Sequence, residues 1–226
     1  MRVHLWLLFF FVIVFPFMYA KTVNAYWKPT YDVVIDVGHG GVDGGTTIKG
    51  ILEKEINLQF GLELYKELKA DSYHVAITRI HDYALSDDYI GRKTSRHQKD
   101  LLQRTMIVNS LKPKIFLSLH VNWAKNNRAH GPVVIYQKSD KSLFLAEVIQ
   151  NHLNRYYQTE RNPIKGKNYY LMNHTETASV IVELGFLSNW NDRVMLLDEQ
   201  KRKEIVNTIS SALEEYFTLI LIDEVE

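Results

Sequence analysis

Asp32-Val33-Val34-Ile35-Asp36-Val37, running directly into Gly38-His39-Gly40-Gly41-Val42-Asp43-Gly44-Gly45, is the stretch on which the fold turns. The first six residues form a β-branched run that reads as a buried strand. Five glycines among the eight residues from 38 to 45 then end it with a sharply turning backbone that leaves room beside it. Working outward, Leu52, Ile56, Phe60, Leu64 and Leu68 are apolar side chains one helical turn apart, which predicts an amphipathic helix over residues 53–69. Short strands are expected at 74–78, 115–120, 132–136, 169–172 and 179–184. Further helices are expected at 100–111, stopped by Pro113, at 142–157 with Ser142 as N-cap, and at 199–217. Strands alternating with helices predict an α/β three-layer sandwich, with a central, mostly parallel twisted sheet of about six strands flanked by helices. In such sheets ligands bind beyond the carboxyl ends of the strands.

Three of the expected strands end in residues with metal or acid-base chemistry. The first ends at Gly38-His39-Gly40-Gly41, another at His120-Val121-Asn122, and the last at Glu183-Leu184-Gly185. Glu53, fourteen positions after His39, opens the first helix, where an acid also serves the helix dipole; Glu55 is available for that structural role. His39 alone reads as an incidental member of a glycine turn, and His120 alone as a packed histidine. Together, two histidines and a glutamate are a frequent catalytic zinc set with water as the fourth ligand. Glu183 follows Val180-Ile181-Val182 and should be half-buried. It must either pair with a cation, Arg193 being a candidate, or act beside the metal as a general base. Asn122 and the backbone at Gly40-Gly41 are candidate substrate contacts. The chain has no cysteine, so any metal must be held by His, Asp or Glu.

The motifs Asp36–Gly45 (DVGHGGVDGG), Leu52–Leu58 (LEKEINL), Ile77–Arg79 (ITR), Phe116–Asn122 (FLSLHVN) and Val182–Asn189 (VELGFLSN), in this order, resemble the zinc-dependent N-acetylmuramoyl-L-alanine amidases of the type 3 class. The resemblance covers essentially all of residues 32–217. It implies Zn2+ held by His39, Glu53 and His120, Glu183 as the catalytic residue, and hydrolysis of the amide between N-acetylmuramic acid and L-alanine in peptidoglycan. Val37 departs from the Pro or Ala frequent in the family before Gly-His. Within the family, the short apolar N-terminus, the single domain, an inserted segment from about His81 to Asp100 and the stretch Gly166–Asn173 (GKNYYLMN) resemble the germination-specific, CwlD-type amidases of spore-forming bacteria. That subgroup implies a role in the spore cortex, in the formation of muramic δ-lactam. An activator protein is a further expected partner, since some amidases need one. Arg92, Lys93, Arg96 and Lys99 in the inserted segment are candidates to meet an anionic stem peptide. Two other readings stay open on the sequence: a zinc peptidase of wall stem peptides, and a non-catalytic wall-binding or assembly protein.

The chain's 226 residues, 46% apolar and 23% charged, suit one folded domain with a short leader. A net charge of +1 gives no support to nucleic-acid binding. Residues 1–25 read as a signal peptide or N-terminal membrane anchor. Arg2 precedes the uncharged run Leu5–Ala20, whose sixteen residues would span only about 24 Å as a helix, and Val23-Asn24-Ala25 fits a cleavage site. Either reading puts the domain outside the cytoplasmic membrane, secreted or tethered to its outer face, on the forespore or cortex side if the subgroup applies. Residues 26–31 read as a linker, 32–220 as the catalytic domain and 221–226 as a tail.

Overall fold

Val33–Val37 forms strand β1, second from one edge of a six-stranded sheet in the computed structural model, which describes residues 31–223. The expected leader, the linker up to residue 30 and the last three residues lie outside the described residues. The other strands are β2 (Thr47–Ile48), β3 (Ile51–Leu52), β4 (Val75–Ile77), β5 (Ile115–Asn122), β6 (Val133–Tyr136), β7 (Ile164–Lys165) and β8 (Ala178–Phe186). Sheet order is β4-β1-β5-β8-β6-β7, with β2 and β3 forming a separate hairpin. All neighbours in the main sheet are parallel except β6 and β8. The expected mostly parallel α/β sandwich is therefore the observed one.

Helices α1 (Glu53–Ala70), α3 (Asp140–Tyr157) and α6 (Glu199–Asp223) cover one face. Their buried residues, among them Phe60, Ile149 and Ile209, join Val33, Ile35, Leu117 and Val180 in the main core. Helices α2 (Arg96–Leu111) and α4 (Tyr170–His174) cover the other, where Val108, Leu171 and Met172 meet Val34, Phe116 and Ile181. Each fully buried Leu, Ile or Phe contributes about 1.5–3 kcal/mol. Helix α5 (Trp190–Leu197) seats Leu196 in the main core. By length and composition α6 could cross a membrane, but Ile205, Val206, Ile209, Ala212, Leu213 and Tyr216 are buried in the domain, so its apolar run is a core face. It runs to Asp223, into the stretch read as a tail.

Several boundaries differ from the sequence reading, each for a local reason. Of residues 169–172, expected as a strand, Tyr169 is the N-cap of α4 and 170–172 lie in that helix. Adjacent Leu171 and Met172 are both buried in the same cluster, which a helix allows and a strand, with its alternating faces, does not. The cap of α3 is Ser139, whose Oγ accepts from the Ser142 N–H at 3.1 Å; Ser142 is buried and accepts from the Ser179 N–H. Helix α2 starts at Arg96 with Ser95 as N-cap, four residues before the expected start, because its polar first turn carries no apolar period. The two-residue strands β2, β3 and β7 and helix α5 are too short to leave a periodic signal.

Candidate active site

Strands β1, β5 and β8 are adjacent and parallel, so their carboxyl ends meet at one edge. Register places His120 directly opposite Glu183, and side chains opposite one another share a face. A bulge between His120 and Asn122 breaks the pairing with β8 at that point; bulges commonly re-aim a side chain beside an active site. His39 follows β1 in the left-handed backbone region, at φ 61°. For a residue other than glycine this is strained by roughly 1–3 kcal/mol and persists where surrounding contacts fix it.

Those contacts come from two buried arginines. Arg104 on α2 donates to the carbonyls of Val37 at 2.8 Å and His39 at 2.9 Å. Arg79, just after β4, donates to the carbonyls of Gly38 at 3.0 Å and Lys54 at 2.8 Å. Asp36, fully buried, anchors the arrangement: it pairs with Arg104 and accepts from Ser118 Oγ at 2.6 Å and Thr78 Oγ1 at 3.0 Å. Burial alone would raise the Asp36 pKa, but the Arg104 guanidinium and the Ser118 hydroxyl outweigh it and hold the pKa below the usual value. The loop is thus pinned through its carbonyls while the imidazole stays clear.

Glu53 reaches the edge from the first residue of α1. Its Oε2 accepts from the Thr46 N–H at 2.8 Å and its Oε1 from the Val121 N–H at 3.0 Å. The same Oε1 lies 3.2 Å from His39 Nε2 and 3.0 Å from His120 Nδ1. One donor atom from each of His39, Glu53 and His120 falls within 4.8 Å of the others, a group that could hold a metal ion. The Glu53 pKa is lowered: burial opposes ionisation, and the hydrogen bonds from His120 and His39 prevail. Burial likewise opposes protonation of His39, but its hydrogen bonds to Asp43 and Glu53 lift its pKa to about 9. Asp43 Oδ2 holds His39 Nδ1 at 2.9 Å, leaving Nε2 toward the cluster; a carboxylate on the far nitrogen is the usual orienting partner of a metal-binding histidine.

Small residues make the space. A Cβ on Gly38 would sit 2.4 Å from His120 Cε1, and one on Gly45, at φ 64°, would sit 2.5 Å from Glu53 Oε2. Val37 is fully buried against Gly61 of α1, so the departure from the family's Pro or Ala lies away from the site.

Glu183 lines a cavity of about 330 Å³ together with His120 and Tyr169. Its Oε2 is sealed from solvent and has no hydrogen-bond partner among the described residues. The suggested partner Arg193 instead donates to the Leu187 carbonyl at 2.7 Å. Burial, the dominant cause, pushes the Glu183 pKa up to about 7, against the pull of His120 and with a smaller push from Glu53. A carboxyl group with such a pKa can take and return a proton near neutrality. The four sequence-predicted residues thus gather at one edge. Other suggested contacts are engaged internally: Asn122 Oδ1 accepts from the Trp123 N–H, and Gly41 bonds Asp82 and Lys54. Sequence reasoning missed the supporting roles of Asp36, Arg104, Arg79 and Asp43. Asp36, Asp43 and Arg79 lay inside the quoted motifs, but a buried ion pair 68 residues apart leaves no local spacing.

The fold and site define an α/β protein with a His-Glu-His group able to take a metal and a buried, unpartnered carboxyl oxygen in the adjoining cavity. Comparison with known proteins narrows the class. The model of the Amidase_3 family, N-acetylmuramoyl-L-alanine amidase, matches residues 33–215. The germination-specific N-acetylmuramoyl-L-alanine amidase of Bacillus subtilis is 28% identical over 220 residues, covering 94% of this chain and 93% of its own. Among solved structures, the CwlD amidase of Clostridioides difficile, in complex with the GerS lipoprotein, superposes with a TM-score of 0.76 at 29% identity, over 83% of this chain and 98% of that one. The catalytic domain of CwlV, an N-acetylmuramoyl-L-alanine amidase of Bacillus (Paenibacillus) polymyxa, gives 0.70 at 27% identity, over 84% and 99%. The chain belongs to the type 3 N-acetylmuramoyl-L-alanine amidase family, as a CwlD-like member acting on peptidoglycan.

Proposed function

We propose that this amidase is a zinc enzyme of the spore cortex, with the ion held by His39, Glu53 and His120 and with Glu183 as its catalytic acid and base. The carrying observation is that donor atoms of those three residues lie within 4.8 Å of one another beside a cavity that holds the sealed, unpartnered Oε2 of Glu183. The donor set fits the metal: two imidazoles and a carboxylate are a common catalytic zinc set, with a position left for water. When bound, zinc supplies Lewis-acid polarisation of the amide carbonyl and activation of the attacking water.

The chain's own residues do the rest. Glu183 accepts a proton from the attacking water and delivers it to the departing L-alanine nitrogen, so that the N-acetylmuramoyl carboxylate and a free amino terminus result. Burial, which raises its pKa from the ordinary carboxyl value, suits a group that must both take and return a proton. Asp43 fixes the tautomer and angle of His39, and the Arg104 and Arg79 contacts hold the carbonyls on either side of it.

Similarity to the germination-specific amidase supports the cortex as substrate, which would make the enzyme a contributor to muramic δ-lactam formation. The complex formed by the CwlD relative supports a lipoprotein activator. The apolar run Leu5–Ala20 supports an extracytoplasmic location, by secretion or by a membrane tether. Incubating the zinc-loaded protein with purified cortex and with vegetative peptidoglycan, with and without the cognate lipoprotein, tests this reading. Mass spectrometry should find peptides with a free L-alanine amino terminus and peptide-free muramic acid, preferentially from cortex. Cleavage within the stem peptide, or equal release from both walls, would contradict it.

A further inference from the structure

The cavity at Glu183 is not isolated. A second cavity, of about 470 Å³, adjoins it and is walled by Tyr89, Arg92 and Thr94 from the segment that precedes α2 and by Gln98 from the helix itself. Leu101 and Tyr170 line both cavities, so a ligand reaching His120 and Glu183 has a continuous floor into the second. Among the described residues, Arg92 is the only charged one lining that second cavity. It is exposed and forms no ion pair with any described residue. Lys93, Arg96 and Lys99, its basic neighbours in sequence, line neither cavity.

The walls are held in place. The Tyr170 ring stacks on His174 at 3.9 Å with planes 11° apart. The turn before Arg92 fits around Tyr89: a Cβ on Gly91 would lie 2.4 Å from the Tyr89 hydroxyl. Ser95 caps α2 immediately afterwards, anchoring the segment to the helix that carries Arg104.

The substrate is asymmetric about its scissile amide. The acyl side is a glycan, which offers hydroxyl and amide groups; the amine side is a peptide, whose carboxylates are the anionic part. A lone guanidinium beside aromatic walls selects the second. We propose that this cavity is a subsite for a carboxylate on the peptide arm, in the residue after L-alanine, and that Arg92 reads it and so sets which way the substrate lies across Glu183. The inference rests on the amidase reading above.

The test uses two muramoyl peptides identical except that the residue following L-alanine carries either a free α-carboxylate or the carboxamide. Full-length zinc-loaded protein should prefer the carboxylate form about fivefold to tenfold in kcat/KM, as suits one partly exposed charge-assisted contact. Arg92→Ala should bring that ratio to about one, with the loss carried by KM rather than kcat, and Arg92→Lys should restore part of it. Arg92→Ala retaining the full preference overturns the subsite while leaving the amidase reading intact. Failure of the parent protein to cleave either peptide with the cognate lipoprotein present overturns the proposed zinc-amidase mechanism and the subsite with it.

Discussion

Glu183→Gln is expected to keep the metal, to lose about 10²–10⁴-fold in kcat, and yet to be the more stable protein at alkaline pH once the metal is removed. Glutamine has nearly the same shape but cannot exchange a proton, so the rate loss reports the acid-base role and not a lost contact. The stability gain follows from linkage. In the folded chain the Glu183 pKa is about 7, against an ordinary 4.5, because burial disfavours the carboxylate. Between those values the folded state binds more protons than the unfolded state, so stability falls as pH rises through that window. The penalty is absent below pH 4.5 and reaches about 3 kcal/mol above pH 7. Thermal unfolding in chelator at pH 5 and pH 8 should therefore show the variant gaining on the parent as pH rises. A gap that does not change with pH would remove the buried carboxyl, and turnover close to that of the parent would remove the general base.

Arg104→Met should be the most damaging single change outside the metal cluster. It strands the Asp36 carboxylate, which is fully buried, and frees the carbonyls of Val37 and His39. Removing one partner of a buried ion pair costs about 3–5 kcal/mol, whereas replacing both partners with groups of matching shape costs much less. Adding Asp36→Asn to Arg104→Met should therefore recover part of the stability, as a calorimetric double-mutant cycle would register. Activity should not return with it, because the strained His39 backbone has still lost its anchor. The same pair predicts acid sensitivity. The Asp36 pKa is depressed in the folded state, so its contribution is present above about pH 4 and fades as pH falls through the folded value.

Much of this was legible before any coordinates. Asp32–Val37, Ile115–His120 and Ser179–Leu184 read as buried strands, and their common parallel direction follows once helices are seen to connect them. Because each of the three ends in a chemically capable residue, convergence of His39, His120 and Glu183 was a consequence of topology. Glu53 was harder, since an acid at a helix start has a structural explanation; the motif around it decided the matter. What stayed hidden was whatever needs distance in sequence. Arg104 sits at the middle of α2, where nothing marks it as buried, and its partner lies 68 residues away. The run Tyr169–Met172 misled because four apolar residues fit a strand or a helical turn equally well, and only the shared burial of Leu171 and Met172 separates the two. The second cavity likewise depends on where residues 81–95 lie relative to α2, which no local pattern encodes.

One ion shared by residues from three separate stretches of chain is what the proposed chemistry requires. Diffraction data from crystals of the zinc-loaded protein, collected on both sides of the zinc absorption edge, test it most directly. One anomalous peak within bonding distance of His39, Glu53 and His120, and next to the Glu183 carboxylate, is the predicted result. A peak held by other residues in active protein, or full zinc loading with these three side chains uncoordinated, would contradict it.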